Sequence, residues 1–266
     1  SDGDGACAVL DNGELLCWGD GGSYFLYTNS SSSSTPVIRT GFPSGLSVES
    51  VSLGNSHHCA LMSNSKVYCW GHEYPAFGYP SAFEYSRQTP TVVQNTAGND
   101  ILATAIDTYS SHSCAILTNG SAVCWGYNHD GQLGVGYRCV TGMEGICQGS
   151  FSGDAQHYVE QPTHVVLPTG RTVVALNLWE ENSCFVLDDG SYMCAGDQYD
   201  EQATPVYVNQ SYDGETIYDV VAASDRTVTL SNGEVWYSYQ GSNPYIGYQI
   251  STSIYNSTDS YQGYSV

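Results

Sequence analysis

Cys7 to Gly19 reads CAVLDNGELLCWG, and the phrase returns as CALMSNSKVYCWG from Cys59, CAILTNGSAVCWG from Cys114 and CFVLDDGSYMCAG from Cys184. In each copy the two cysteines are ten residues apart. A fifth copy, TVTLSNGEVWYSY from Thr227, keeps the turn and the apolar positions but has Thr227 and Tyr237 where the cysteines would be. Successive copies start 52, 55, 70 and 43 residues apart, so five units cover nearly all of the 266 residues. A period of this size belongs to stacked supersecondary units rather than to a single irregular core.

Within a copy, apolar residues such as Ala8, Leu10, Leu15 and Trp18 flank a tip of Asn12-Gly13, Asn119-Gly120, Asp189-Gly190 or Asn232-Gly233. Asn-Gly and Asp-Gly accept the positive φ that tight hairpin turns require, so each copy reads as a β-hairpin. Asn64-Ser65 is the one tip without glycine. Four copies are preceded by a second apolar run, Val48 to Leu53, Ile101 to Ile106, Val173 to Leu178 and Ile217 to Ala222. A unit is thus about four short strands in roughly fifty residues, the size of a propeller blade.

The cysteines of a copy lie on opposite arms, facing one another if the tip is a three-residue loop, at a separation that suits a disulfide. The expected pairs are Cys7 with Cys17, Cys59 with Cys69, Cys114 with Cys124 and Cys184 with Cys194. Cys139 and Cys147, inside the long insertion of the third unit, are left to pair with each other. The competing reading is zinc, but zinc sites favour C-x2-C clusters and the sequence has none. Ten cysteines in five local bridges imply an oxidising compartment.

Charge narrows the partners. Six basic residues against 27 acidic ones leave a net charge of −21, which repels nucleic-acid phosphates and anionic membrane surfaces. Charged residues are only 12% of the chain while Tyr (22) and Gly (29) are abundant, so the surface is polar through hydroxyls more than through ions. No stretch reads as a signal peptide or as a membrane span of about eighteen apolar residues.

The pattern H-x-C-A-hydrophobic-L, turn glycine, C-W-G, followed in the third unit by Tyr127-Asn128-His129-Asp130-Gly131-Gln132-Leu133-Gly134, resembles the repeat of the regulator of chromosome condensation superfamily, here in a secreted, cysteine-paired form. The resemblance extends over all five units and is sharpest in the second and third. It implies an all-β propeller of four-stranded blades, usually seven of them, whereas this chain carries five repeats. The nuclear member of the family acts as a guanine-nucleotide exchange factor and docks on chromatin; paired cysteines and a charge of −21 argue against both roles here. A secreted bacterial relative inhibits β-lactamases with loops of one face, which keeps an inhibitor reading open.

The expected organisation is one propeller domain over residues 1–266, with repeat hairpins near 7–19, 59–71, 114–126, 184–196 and 227–239, an inserted loop at 127–161 and a Tyr-rich tail at 238–266. Unit one lacks the upstream strand of the others. The tail, with Tyr248 to Tyr255 (YQISTSIY) and Tyr261 to Val266 (YQGYSV), is expected to supply it, either by closing the ring of its own chain or by pairing with a neighbouring chain. Tyr245, Tyr248, Tyr255, Tyr261 and Tyr264 are the candidate interface residues, since tyrosine offers contact area with one hydrogen-bonding end. The stapled insertion is the other candidate surface.

Sequons mark Asn29, Asn119, Asn209 and Asn256 as candidate glycosylation sites. The serine-rich stretch Thr28 to Pro36 reads as a loop between units one and two. His57, His58, His112, His129, His157 and His164 raise the question of a metal or acid–base site; the recurring histidine two residues before a first cysteine is instead expected to bond blade backbone. Acidic groups at Asp2-Gly3-Asp4-Gly5, Asp188-Asp189, Asp197 with Asp200 and Asn128 with Asp130 could take calcium, but none matches a calcium loop. No nucleophile elbow, phosphate loop or HExxH occurs. The sequence therefore reads as a non-enzymatic extracellular or cell-surface protein with no cofactor and no metal, structural or adhesive, self-assembling through strand exchange. The partners expected are itself, another extracellular protein or a glycan, with a monomeric inhibitor or lectin-like module as the alternative.

Overall fold

A computed structural model describes residues 5–20, 26, 32–55, 57–71, 78, 87–140, 147, 157–197 and 201–208, together with the strand backbones of 217–222, 226–230, 235–238 and 248–250. The architecture is five antiparallel sheets in chain order. Sheet one contains β1 (Gly5–Val9), β2 (Leu15–Gly19) and β3 (Ser33–Ile38). Sheet two contains β4 (Val48–Leu53), β5 (His57–Met62), β6 (Val67–Gly71) and β7 (Arg87–Val92). Sheet three is β8 (Ala103–Tyr109), β9 (His112–Leu117), β10 (Ala122–Tyr127) and β11 (Tyr158–His164), and sheet four is β12 (Val173–Trp179), β13 (Asn182–Leu187), β14 (Tyr192–Gly196) and β15 (Gln202–Tyr207). Sheet five is β16 (Ile217–Ala222), β17 (Arg226–Leu230), β18 (Val235–Ser238) and β19 (Tyr248–Ile250). The first strands of sheets two to five pack on one another in sequence, β4 on β8, β8 on β12 and β12 on β16, as the inner strands of propeller blades do.

The central hairpin of each blade follows from its tip. In blade one Gly13 N–H bonds Leu10 O at 2.8 Å and Leu10 N–H bonds Glu14 O at 2.9 Å, leaving a three-residue loop that sets Cys7 opposite Cys17. The tip Asn or Asp carboxamide or carboxylate oxygen accepts the N–H two residues on, at 3.0 Å from Asn12, 3.1 Å from Asn64, 3.0 Å from Asn119 and 3.0 Å from Asp189. Gly13, Gly120 and Gly190 take φ near +80°, and Ser65 holds the same place at φ +64° without glycine's freedom. The four hairpin pairs stand opposite in register with Cα atoms 4.1 Å apart, and all four are disulfides, as is Cys139–Cys147.

The outermost strand is built differently. From Cys17 to Gly19 is two residues, but their partners Val37 and Ser33 are four apart, and the same bulge recurs at Cys69/Gly71, Cys124/Gly126 and Cys194/Gly196. Pro36, Pro90, Pro162 and Pro205 sit inside these bulges, where a missing N–H costs no ladder bond. The glycine ending the C-W-G or C-A-G strand is required: Gly126 and Gly196 have φ of +105° and +120°, and a Cβ would fall 2.4 Å from Ser111 O and 2.1 Å from Glu181 O.

Blades are joined by side chains of the repeat. Trp70 and Trp125 are fully buried. Trp70 meets the Phe42 ring edge-on at 5.5 Å and the guanidinium of buried Arg39 at 4.9 Å, both from the end of blade one. Arg39 also donates to the backbone carbonyls of Thr40 and Gln88, so one of six basic residues serves the wedge between blades rather than a surface field. Trp125 packs back toward blade two, where a Cβ on Gly78 would lie 2.9 Å from its Nε1.

Three expectations are corrected. Ser33 to Pro36, read as part of a loop, opens strand β3. The insertion ends at His157, since Tyr158 to Gln161 begin β11. Tyr248 to Ile250, assigned to blade one, pairs with β18 as the fourth strand of blade five. Sheet one has three described strands, and residues 251–266 lie outside the described residues.

Candidate functional site

The most elaborated surface grows from the end of β10. Gly126 turns the chain out of the sheet, and buried Asn128 then fixes the loop: its Nδ2 donates to Tyr137 O at 2.8 Å and its Oδ1 accepts Leu133 N–H at 3.1 Å. Asn128 N–H bonds His157 O at 2.7 Å and Cys139 N–H bonds Asn128 O at 2.8 Å, so both ends of the insertion are tied beside the Cys139–Cys147 bridge. Gln132, also buried, accepts Asp130 N–H at 3.1 Å and donates to the Glu181 carboxylate of blade four. Gly136 N–H reaches Ala203 O at 2.7 Å. The loop therefore lies across the seam between blades three and four.

That seam presents an aromatic and acidic cluster. His129 and His157 meet edge to face at 4.6 Å, and Tyr127 lies 5.8 Å from His157 and 5.3 Å from Tyr158. Burial, then the nearby Asp130 and Glu181 carboxylates, raise the Tyr127 phenol above its ordinary value. Asp130, Asp197 and Glu201 bring one oxygen each within 4.8 Å, the one such acidic trio among the described residues. His129 Nδ1 stands 2.9 Å from Asp130 and Arg138 pairs with Glu201, so side chains of the protein already meet two of the three carboxylates. The chemistry on offer is hydrogen bonding and ring contact at a rigid rim.

The remaining histidines belong to the interior. His57 Nε2 lies 2.7 Å from Ser113 Oγ and His112 Nε2 lies 3.0 Å from Ser183 Oγ, each reaching the blade that follows. The expected bonding to blade backbone is there, from His57 to Ser110 and from His112 to Asn182 of the following blade, and a serine hydroxyl of that blade is added to it, a partner invisible in sequence because it lies 56 and 71 residues on. Burial pushes His57 down to about 4 and His112 to about 3, so both rings are neutral. His58, lowered by burial and by His57 and Arg39, lies 5.7 Å from Trp70. Asp107 on β8 is likewise internal: it accepts Ser52 Oγ–H at 2.8 Å and Leu178 N–H at 2.9 Å, and burial lifts it to about 6.

Other predicted residues fall as follows. Asn119 is exposed at a hairpin tip, and Asp188 and Asp189 face Arg171 at 3.7 and 3.0 Å. His164 ends β11. Tyr248 lies in β19. Asn29, Asn209, Asn256, Tyr245, Tyr255, Tyr261, Tyr264, Asp2, Asp4 and Asp200 lie outside the described residues. Sequence reading missed the Asp130, Asp197 and Glu201 trio, whose members are 67 and 4 residues apart and meet only because two blades adjoin.

A disulfide-stapled array of four-stranded blades with side-chain seams defines the class, a β-propeller. The regulator of chromosome condensation (RCC1) repeat matches residues 48–74 and 103–132, and the chain is an RCC1-like propeller. It is 32% identical over 129 residues to the human E3 ubiquitin-protein ligase HERC2, which spans 48% of this chain and 3% of that protein. It is 31% identical over 128 residues to the mitochondrial RCC1 domain-containing protein RUG3 of Arabidopsis thaliana, spanning 47% of this chain and 28% of that one. Among solved structures, Prp20p of Saccharomyces cerevisiae superimposes with TM-score 0.68 at 19% identity, over 88% of this chain and 56% of that one. Human WBSCR16 does so with TM-score 0.68 at 16% identity, over 89% and 61%. The chain thus spans well under two thirds of these relatives' lengths.

Proposed function

We propose that this chain is a non-catalytic, extracellular or cell-surface propeller with a structural or adhesive role, which assembles with further copies by strand addition at blade one. The observation that carries the reading is the state of β1. Ala6 to Val9 are all half-buried, whereas β5 and β13 are buried at every residue and β9 at all but the last. A strand edge in this state is what an added strand covers. Five disulfides suit a location outside the cell, and glycans at Asn29, Asn119, Asn209 and Asn256 would add polarity to a surface of low charge density. Among relatives, Prp20p is described as binding Gsp1p and histones; the net charge of −21 favours partners other than nucleic-acid assemblies for this chain.

The second reading, a monomeric inhibitor or lectin-like module, rests on the Tyr127, His129, His157 and Tyr158 cluster, a rigid aromatic rim of the kind that binds protein or sugar. Light scattering with negative-stain microscopy of native, unreduced protein separates the two. Regular filaments are the expected result; a uniform particle of one chain, about 28.7 kDa plus glycans, would overturn assembly and direct attention to the rim.

A further inference from the structure

The insertion leaves blade three at the end of β10 and returns at the start of β11, and a histidine stands at each foot: His129, two residues beyond β10, and His157, directly before Tyr158. The feet are fixed before either ring is placed. Asn128 N–H bonds His157 O at 2.7 Å, the Asn128 carboxamide holds the loop, and the Cys139–Cys147 bridge staples the chain between the two histidines. Tyr127 packs against both rings, stacked on His129 at 6.2 Å and edge-on to His157 at 5.8 Å.

The two rings are held alike. His129 Nδ1 lies 2.9 Å from an Asp130 carboxylate oxygen, and His157 Nδ1 lies 3.0 Å from Cys139 O. A carboxylate and a carbonyl only accept, so each ring donates its Nδ1–H, and in the neutral ring the lone pair is on Nε2. Neither Nε2 has a hydrogen-bond partner among the described residues. An imidazole whose Nδ1–H is held by a carboxylate or a backbone carbonyl while Nε2 stays bare is in the state of a metal-binding histidine, because that bond fixes the tautomer, aims the ring and makes Nε2 more basic.

The spacing of the rings agrees. Two imidazoles sharing one ion, with each nitrogen about 2.0–2.1 Å from it and an angle of about 90–110° between them, have ring centroids about 4.5–5.2 Å apart. The His129 and His157 rings are 4.6 Å apart with their planes at 79°. We propose that His129 and His157 bind one divalent transition-metal ion through their Nε2 atoms, with water in the remaining positions, so that the ion clasps the two feet of the insertion. Copper(II) is held more tightly than nickel(II) or zinc(II) at such a pair, following the affinity order of the first-row ions. The Asp130, Asp197 and Glu201 carboxylates act from outside the ligand set: His129 and Arg138 already engage two of them, and their charge favours a dication nearby. The site departs from the metal-free expectation above, since the 28 residues between the two histidines hide the pair in sequence. It is independent of assembly at blade one.

Copper(II) titrated into the native, unreduced chain at neutral pH tests the site, with calorimetry reading affinity and pulsed electron paramagnetic resonance reading the imidazole nitrogens. One ion per chain with two imidazoles is the expected result. His129→Ala and His157→Ala should each weaken binding about tenfold or more and leave a one-imidazole spectrum, while His164→Ala, at the exposed end of β11, should change neither. Asp130→Asn should weaken binding about tenfold with both imidazoles retained, as loss of an outer partner does. In the unaltered chain copper(II) should shield His129 and His157, and not His164, from diethyl pyrocarbonate, a readout that needs no variant to fold. A spectrum without imidazole nitrogens, unchanged affinity in either histidine variant, equal labelling with and without copper(II), or a loss in Asp197→Asn or Glu201→Gln as large as in the histidine variants would overturn the proposal.

Discussion

Blades one and three carry nearly the same hairpin, CAVLDNGELLCWG and CAILTNGSAVCWG, yet their burial differs at most positions, Cys17 and Leu15 being as enclosed as Cys124 and Ala122. Cys114, Ala115, Cys124 and Trp125 are closed off completely, while Cys7, Ala8 and Trp18 are half-buried. Both hairpins have the same register, the same loop length and the same disulfide. What differs is the company: β9 has β8 on its inner side and blades two and four to either hand, and β1 has neither an inner strand nor a preceding blade among the described residues. A repeat fixes local structure, and its neighbours fix how much that structure is worth.

The contrast can be broken at the tryptophans. Trp125→Ala empties a fully enclosed wedge and is expected to cost about 3–5 kcal/mol, whereas the same change at half-exposed Trp18 should cost a fraction of that. Chemical denaturation of the two variants measures it, and equal losses would mean that blade one is as enclosed as blade three.

The disulfides offer a second comparison. Each closes a loop of about ten residues, for which chain entropy alone gives about 3 kcal/mol. Exposure, however, should order their reduction: under native conditions dithiothreitol is expected to open Cys7–Cys17 before Cys59–Cys69 or Cys114–Cys124. Alkylation with mass mapping at short times reads the order directly.

Acid tests the seams of the enclosed blades. His57 and His112, held at about 4 and about 3 by burial, take up protons near 6.5 once unfolded. Their stabilisation is whole above that value and is lost as pH falls toward those folded values, at about 1.4 kcal/mol per pH unit for each proton taken up. Asp107, raised to about 6, works oppositely: its contribution is whole below the ordinary carboxylate value and is lost as pH rises through 6. With His58 also lowered, three imidazoles outweigh one carboxyl, so melting temperatures should fall from pH 7 to pH 4.5. His112→Asn, the residue blade four already uses at Asn182, should flatten that slope.

The smallest effect is at the tip of blade two. Ser65 holds φ +64° where its counterparts have glycine, so Ser65→Gly should gain up to about 1 kcal/mol, and Gly120→Ser should lose more than that, because a Cβ there would also fall 2.7 Å from the Thr172 side chain. Opposite signs in thermal melts are the expected outcome.

Sequence legibility followed the range of the interactions. Hairpins, tips and cysteine pairs were readable because everything that sets them lies within about thirteen residues. The outermost strands left a signal that went unread, a proline just before the residue opposite the second cysteine, at Pro36, Pro90, Pro162 and Pro205. Tyr248 was placed in the wrong blade because β-propensity identifies a strand without naming its partner.

By itself, then, the sequence determined the repeat, the blade and its staple, since each is closed by local contacts whose spacing is written along the chain. Tertiary structure alone decided that His57 meets Ser113, that Asp107 catches Leu178, and that Asp130 stands beside Asp197 and Glu201. These groups are brought together by the packing of one blade on the next, and no spacing within a single repeat encodes which side chain of a neighbour will face it.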